Sequence, residues 1–483
     1  MSGYNTGFGF GGGRGRGRGR GGGRGGGGGG GPSPALLTAN IKNARTLEEL
    51  LGHCTAHRSK LNHIHLSAAW NSIGHKSGIL SPEWCRAHDD DIRSLASHTA
   101  KVVSESSEVR AREIANIAHG VAKSGRGGNL TDLMDALARA VEKRASDCNA
   151  QELANVSWAF AKADHCADVA LFDALSKATL AKASACNSQE LTNLAWAFAT
   201  AGRTQDEALF ASLAKAVEHT LASFTSQGLS NTAWAFAKVG HLEAMLFKAI
   251  SLAARSKLKT FNAQDFANTA WAFAKLGQFD GELFAALAKD AVRHGDGHNA
   301  QGLANTVWSF AKAGHLDEGL FKGFASQVRR KLKDFNSQDL ANTAWAFAKA
   351  CHPDESLFAS ISGACVACLD DFNAQDLVNT AWAFAKLGHF DQSLFAAVAR
   401  RFRDSGAMND DQLGAQFIAN VAWAFSKASE AGKLEQATSE ELFKNLATAA
   451  EASVADFTAA DLANVAWAFA NANQMDPTLF QSL

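Results

Sequence analysis

Phe261 to Gly277 reads FNAQDFANTAWAFAKLG, and its apolar residues fall at the three- and four-residue intervals of an amphipathic helix. Phe266, Ala267, Ala270, Phe273 and Ala274 share one broad apolar arc. Gln264, Asn268, Trp271 and Lys275 follow one another at spacings of four, three and four, and so form a line along the edge of that arc. The pattern returns as NTAWAFAKVG from Asn231, NTVWSFAKAG from Asn305 and NTAWAFAKLG from Asn379. Nine tryptophans mark its register (Trp158, Trp196, Trp234, Trp271, Trp308, Trp345, Trp382, Trp423 and Trp467), at intervals of 37 to 44 residues. A tenth unit, EIANIAHGVAKSG, places His119 where the Trp would stand.

Each unit predicts two helices. The first begins at an Asn with an acid three residues on, as in Asn149 with Glu152, Asn187 with Glu190, Asn262 with Asp265, Asn336 with Asp339 and Asn373 with Asp376. The Asn side chain caps free backbone N–H groups, and the acid favours the positive end of the helix dipole. Gly202, Gly240, Gly277, Gly314 and Gly388 mark the stops, where a left-handed residue costs Gly least. A second helix with a Leu-Phe pair, such as Leu246-Phe247 or Leu394-Phe395, runs on to the next cap. The predicted fold is all-α: an α-solenoid of about ten antiparallel helix-pair repeats.

Around this array the chain changes character. Of residues 1–31, 19 are Gly, with Arg14, Arg16, Arg18, Arg20 and Arg24 set among them. So little apolar surface cannot offset ordering entropy, and residues 1–34 are expected to be a disordered tail closed by Pro32 and Pro34. The tail resembles the Arg-Gly-rich tails of RNA-binding proteins. It also has the Arg-rich, acid-free composition of a transit peptide without the amphipathic pattern. Residues 35–110 are helical in pattern but degenerate, and LSAAWNSIG around Trp70 is a worn repeat suited to a terminal cap. The solenoid is assigned to residues 111–483. Leu483 falls just inside a second helix, so either further chain or a partner is expected to cover that end.

Stacking turns one residue per repeat into a ladder. Asn holds its position in all ten units: Asn116, Asn155, Asn193, Asn231, Asn268, Asn305, Asn342, Asn379, Asn420 and Asn464. Lys holds its own in eight: Lys123, Lys162, Lys238, Lys275, Lys312, Lys349, Lys386 and Lys427, with Thr200 and Asn471 the exceptions. Two readings stand side by side. In one, Asn satisfies buried groups between repeats and Trp is inter-repeat core, as its apolar neighbours suggest. In the other, Asn and Gln amides meet base edges while Lys neutralises phosphates, one repeat per nucleotide. Outside the tail, 42 basic residues face 48 acidic ones, a balance of −6, so a nucleic-acid surface there has to be a local stripe. Asn and Lys of this line, from Asn155 and Lys162 to Asn420 and Lys427, together with the five tail arginines, are the candidate RNA contacts.

The remaining chemistry is thin. His165, His241, His315, His352 and His389 follow the first-helix ends and are expected to cap the last carbonyls. The basic clusters Arg139–Arg144, Arg255–Lys259, Arg329–Lys333 and Arg400–Arg403 show no common repeat position and are read as solvated surface. Eight scattered cysteines suit reduced thiols, and Cys365 and Cys368 read as two small helix residues. No apolar run spans a membrane, and no phosphate loop, metal cluster or nucleophile–base pair stands out. The expectation is a non-enzyme without cofactor, metal, membrane or small-molecule substrate.

The QxLANTxWAFAKLG type of first helix and its period resemble the octotricopeptide and heptatricopeptide repeats of organellar RNA-binding proteins. They are also similar to the leucine-rich region of FAST-kinase-like proteins and to helical-repeat subunits of the RNA-editing substrate-binding complex. The resemblance spans residues 111–483. It implies single-stranded RNA binding, other subunits of a ribonucleoprotein complex as partners, and a part in organellar RNA processing, stability, splicing or editing. It implies a mitochondrion, with chloroplast or cytoplasm as alternatives. Many such relatives end in a RAP domain, and none is visible before Leu483. The alternative class is an armadillo-type scaffold that holds extended peptides with Asn and Trp ladders.

Overall fold

In a computed structural model, residues 32–76, 82–294, 297–405 and 414–482 are described; the tail arginines Arg14, Arg16, Arg18, Arg20 and Arg24 lie outside them. The described residues form 25 α-helices joined by short 3₁₀ turns, with no strand among them. First helices make one row, from His63–Lys76 to Ala459–Asn471, each packed on the first helix before and after it. Second helices make another row, from Asp89–Glu105 to Pro477–Ser482. Pro34–Asn43 packs on His63–Lys76 and Leu47–Ala56 on Asp89–Glu105, which adds a layer to both rows. This is the expected α-solenoid.

The caps form as the sequence implies, with an addition. Asn262 accepts from the Asp265 N–H at 2.8 Å, and Asp265 accepts from the Asn262 N–H at 3.2 Å. The acid therefore works as a hydrogen-bond partner as well as a charge, a reciprocal pairing that satisfies two orphan donors. Asn149, Asn187 and Asn336 repeat it with Glu152, Glu190 and Asp339. At the other end, Gly202, Gly240, Gly277, Gly314 and Gly388 take φ of 66° to 76°. Asp164, Cys351 and Asn473 accept the same left-handed turn without Gly, at φ of 49° to 57°.

Between repeats, one contact recurs from Phe172 to Phe469. The Phe of each second-helix Leu-Phe pair meets the Phe of the next first helix: Phe210 with Phe236 at 5.3 Å and 85°, Phe284 with Phe310 at 5.6 Å and 88°, Phe443 with Phe469 at 5.0 Å and 88°. Such edge-to-face pairs add ~0.5–1.5 kcal/mol beyond the area they bury. The Ala residues on either side of Phe are almost fully buried and let first helices lie close. Ala111–Lys123 approaches His63–Lys76 so closely that a methyl on Gly120 would stand 2.3 Å from the Trp70 carbonyl oxygen. Second helices carry their own link: Ser251 donates to the cap residue Asp280 at 2.6 Å, and Ser362 to Asp391 at 2.8 Å.

Tight stacking has an electrostatic cost at the helix starts. Burial pushes the carboxyl of Asp339 up to about 6 despite the backbone N–H it accepts, and Asp376 is raised for the same first reason. Asp265 accepts a hydrogen bond from Ser230 of the preceding repeat at 3.0 Å.

Two outcomes follow from this packing. Phe273→Ala removes an edge-to-face partner of Phe247 and leaves a cavity, and is expected to cost ~3–5 kcal/mol in denaturant unfolding. Asp339 has a folded pKa above its ordinary value, so the folded chain holds the proton more tightly than the unfolded one. The stability this gives is complete below about pH 4 and is lost as pH rises through about 6. Asp339→Asn is expected to flatten that dependence and to stabilise the chain at pH 7 by at most ~3 kcal/mol, read as unfolding midpoints between pH 4 and 7.

Candidate nucleic-acid interface

A first helix in the middle of its row is enclosed on nearly every side. Within Ser337–Lys349, solvent reaches Ser337, Gln338, Asn342, Trp345 and Lys349, and every other residue is buried. Within Ala300–Lys312 it reaches Ala300, Gln301, Asn305, Trp308 and Lys312. The open strip of the helix is thus the Gln–Asn–Trp–Lys line that its spacing predicts. Neighbouring first helices set these strips side by side.

The lysines are the outermost members. Lys162, Lys238, Lys275, Lys312, Lys349 and Lys386 are exposed, and Lys427 is half-buried. Lys275, Lys312, Lys349 and Lys386 have no carboxylate within salt-bridge distance among the described residues. Lys427 departs from this: it pairs with Glu430 at 2.7 Å and its Nζ sits 4.9 Å from the Trp467 ring centre. Lys238 lies 5.3 Å from the centre of its own Trp234.

The asparagines divide by position. Asn193, Asn231 and Asn268 are buried, and the Asn268 amide donates to Asn231 Oδ1 at 3.3 Å while accepting from Gln264 at 2.7 Å. The Asn231 and Asn268 amides thus link two repeats, as the structural reading holds, whereas the buried Asn193 Oδ1 has no hydrogen-bond partner among the described residues. The ladder starts one layer earlier than its Asn residues do, since Asn116 donates to Ser67 Oγ at 3.3 Å. Asn155, Asn305, Asn342, Asn379 and Asn420 are half-buried. Asn379 accepts from Gln375 at 2.9 Å, whereas the side chains of Asn155, Asn305, Asn342 and Asn420 have no hydrogen-bond partner among the described residues.

Tryptophan departs from the expected core role over half the array. Trp158, Trp196 and Trp234 are 4–5% exposed, in keeping with it. Trp271, Trp308, Trp345, Trp382 and Trp423 are only half-buried, and Trp467 is 42% exposed. Their position at the edge of the apolar arc lets one part of the ring pack on the core while another reaches solvent. The rings approach one another along the row, Trp308 and Trp345 at 6.3 Å and Trp382 and Trp423 at 6.4 Å.

Two other expectations change. It is the backbone N–H of His241, His315 and His389 that caps the helix, donating to Phe236, Phe310 and Phe384. Their rings pack on phenylalanine instead, with His389 stacked on Phe358 at 4.7 Å. Three of the basic clusters, read as solvated surface without a common position, contribute a residue to a recurrent staple, which Lys182 makes from outside any cluster. Lys182 donates to the Ser146 carbonyl at 2.7 Å, Lys257 to that of Phe224 at 2.6 Å, Arg144 to that of Ser107 at 3.2 Å and Lys331 to that of His298. Each joins the end of a second helix to the connecting turn one repeat back. The signal was available: Arg144, Lys182, Lys257 and Lys331 all stand fourteen residues before a register Trp. Cys365 is buried and its thiol is pushed up by that burial, which leaves it unreactive. Among the described residues no group of three or more His, Cys, Asp or Glu could hold a metal ion, and no helix is long and apolar enough to cross a membrane.

Two helical rows with one open polar strip define a helical-repeat solenoid protein. Within that class, the sequence model of the RNA-editing substrate-binding complex 6 protein family matches residues 102–432. The chain belongs to this family, and its role is in RNA processing as a subunit of an RNA-editing complex. No curated protein matches the chain. Among solved structures, a homology model of the full-length AP-3 complex in an intermediate open conformation is 12% identical, over 93% of this chain and 85% of that one, with a TM-score of 0.24. A circular tandem repeat protein with novel repeat topology and enhanced subunit contact surfaces is 13% identical over 92% and 96%, with a TM-score of 0.19.

Proposed function

We propose that this chain is a non-enzymatic subunit that binds single-stranded RNA along its first-helix strip, within a mitochondrial RNA-editing complex. One observation carries the reading. Lys275, Lys312, Lys349 and Lys386 stand one per repeat on the open strip, without carboxylate partners among the described residues, in a body whose balance is −6. An exposed cation with no ion pair adds little to stability. A row of them is a local stripe of positive charge on which a phosphate backbone can lie. The free amides of Asn155, Asn305, Asn342 and Asn420 lie beside that row and can donate to and accept from base edges. Asn231 and Asn268, bonded to each other, serve the array rather than the ligand.

The test is a salt series with the full chain and an unstructured RNA. Each phosphate neutralised contributes a slope of ~0.7 in log affinity against log salt. The triple variant Lys275→Ala, Lys312→Ala, Lys349→Ala is therefore expected to lower the slope by ~2. A second variant with Arg14, Arg16, Arg18, Arg20 and Arg24 changed to Ser is expected to keep that dependence on the three lysines. If instead the arginine variant abolishes binding and the lysine variant matches the unaltered chain, RNA contact belongs to the tail. The solenoid is then better read as a scaffold for extended peptides.

A further inference from the structure

We infer that the half-buried tryptophans of the later repeats, Trp271 to Trp423, are stacking platforms for unpaired nucleobases, and that the earlier part of the array has no such platforms. The inference rests on the RNA reading above and adds to it the ligand's bases and their location.

Three observations converge on it. The first is the change in exposure along the row: Trp158, Trp196 and Trp234 are sealed, while Trp271, Trp308, Trp345, Trp382 and Trp423 are open to solvent in part. The second is the state of the indole N–H. Trp70, sealed in the core of the N-terminal layer, donates its own to the buried Thr99 hydroxyl at 3.0 Å. The indole N–H groups of Trp271, Trp308, Trp345, Trp382 and Trp423 have no acceptor among the described residues. The third is the company they keep. The unpaired Lys275, Lys312, Lys349 and Lys386 each follow a Trp by four residues, one helical turn along the same face.

Geometry then selects the ligand. Packed helices lie ~8–10 Å apart, whereas stacked bases step ~3.4 Å along a strand. A strand that advances about one nucleotide per repeat therefore cannot keep its bases stacked on each other. Their faces are left open, and an indole beside each phosphate contact gives them a surface. Stacking of this kind tolerates any base, because each has a π-face. A duplex has no free faces to offer.

The experiment compares two oligomers on the full chain: an unstructured RNA, and an oligomer of the same length and charge whose riboses carry no bases. The unaltered chain is expected to bind the RNA at least about tenfold more tightly, and RNA alone should quench tryptophan emission. The triple variant Trp308→Leu, Trp345→Leu, Trp382→Leu keeps apolar packing without an indole. It is expected to bring the two affinities to within about twofold of each other, whereas Phe at the same positions retains most of the preference. The inference is overturned if the Leu variant keeps the full preference, or if the unaltered chain binds both oligomers equally without quenching. Quenching in the unaltered chain requires no variant to fold. The Lys275, Lys312, Lys349 variant separates the two levels. It should weaken both oligomers alike, and if it weakens neither, the RNA reading of the strip falls and this inference with it.

Discussion

The edge-to-face meeting of two phenylalanines, one from a second helix and one from the next first helix, is the constraint on which the rest of the molecule rests. It fixes how far one repeat can rotate against its neighbour, and it does so at successive junctions from Phe172 with Phe198 to Phe443 with Phe469. With that angle set, the Ala residues beside each Phe bring first helices into close contact. Only one strip of each helix is then left for solvent. The polar line follows from the aromatic one, since a looser junction would expose Ala and a tighter one would bury Lys.

Much of this was legible beforehand. Fixed recurrence of NTAWAFAK gave the period, Asn and Gly gave the helix ends, and spacings of four, three and four gave the line. What was not legible is how open the line becomes. Asn231 to Lys238 and Asn379 to Lys386 have identical sequences, NTAWAFAK, yet Asn231 and Trp234 are buried whereas Asn379 and Trp382 are half-exposed. Eight identical residues cannot encode two exposures by themselves. The difference lies in neighbouring repeats and the way they lean, which no local pattern carries. The same limit explains why Trp looked like core throughout.

The staples failed to show for another reason. Arg144, Lys257 and Lys331 sit inside longer basic runs and Lys182 stands outside them, and the four mix two residue types, so a reading by cluster missed the one recurrent position. Their acceptors are backbone carbonyls, which have no sequence signature. Membership of the RNA-editing substrate-binding complex 6 family is consistent with a surface specialised on one face, but the residues that would specialise it are the ones whose exposure varies most.

The lysine run itself has a length. Thr200 breaks the column after Lys162, and from Lys238 to Lys427 it continues through six repeats before Asn471 ends it. At ~8–10 Å per packed helix that is a track of roughly 40–50 Å. Its middle stations, at Lys312, Lys349 and Lys386, are nearly equivalent, each with a half-buried Asn and Trp beside an exposed Lys, so a polymer shifted by one repeat there would exchange each contact for a near copy of itself. Such a track is a periodic potential with shallow steps between wells. A strand bound there as proposed would be held by total overlap rather than by a single register, and could shift by one repeat without leaving the track.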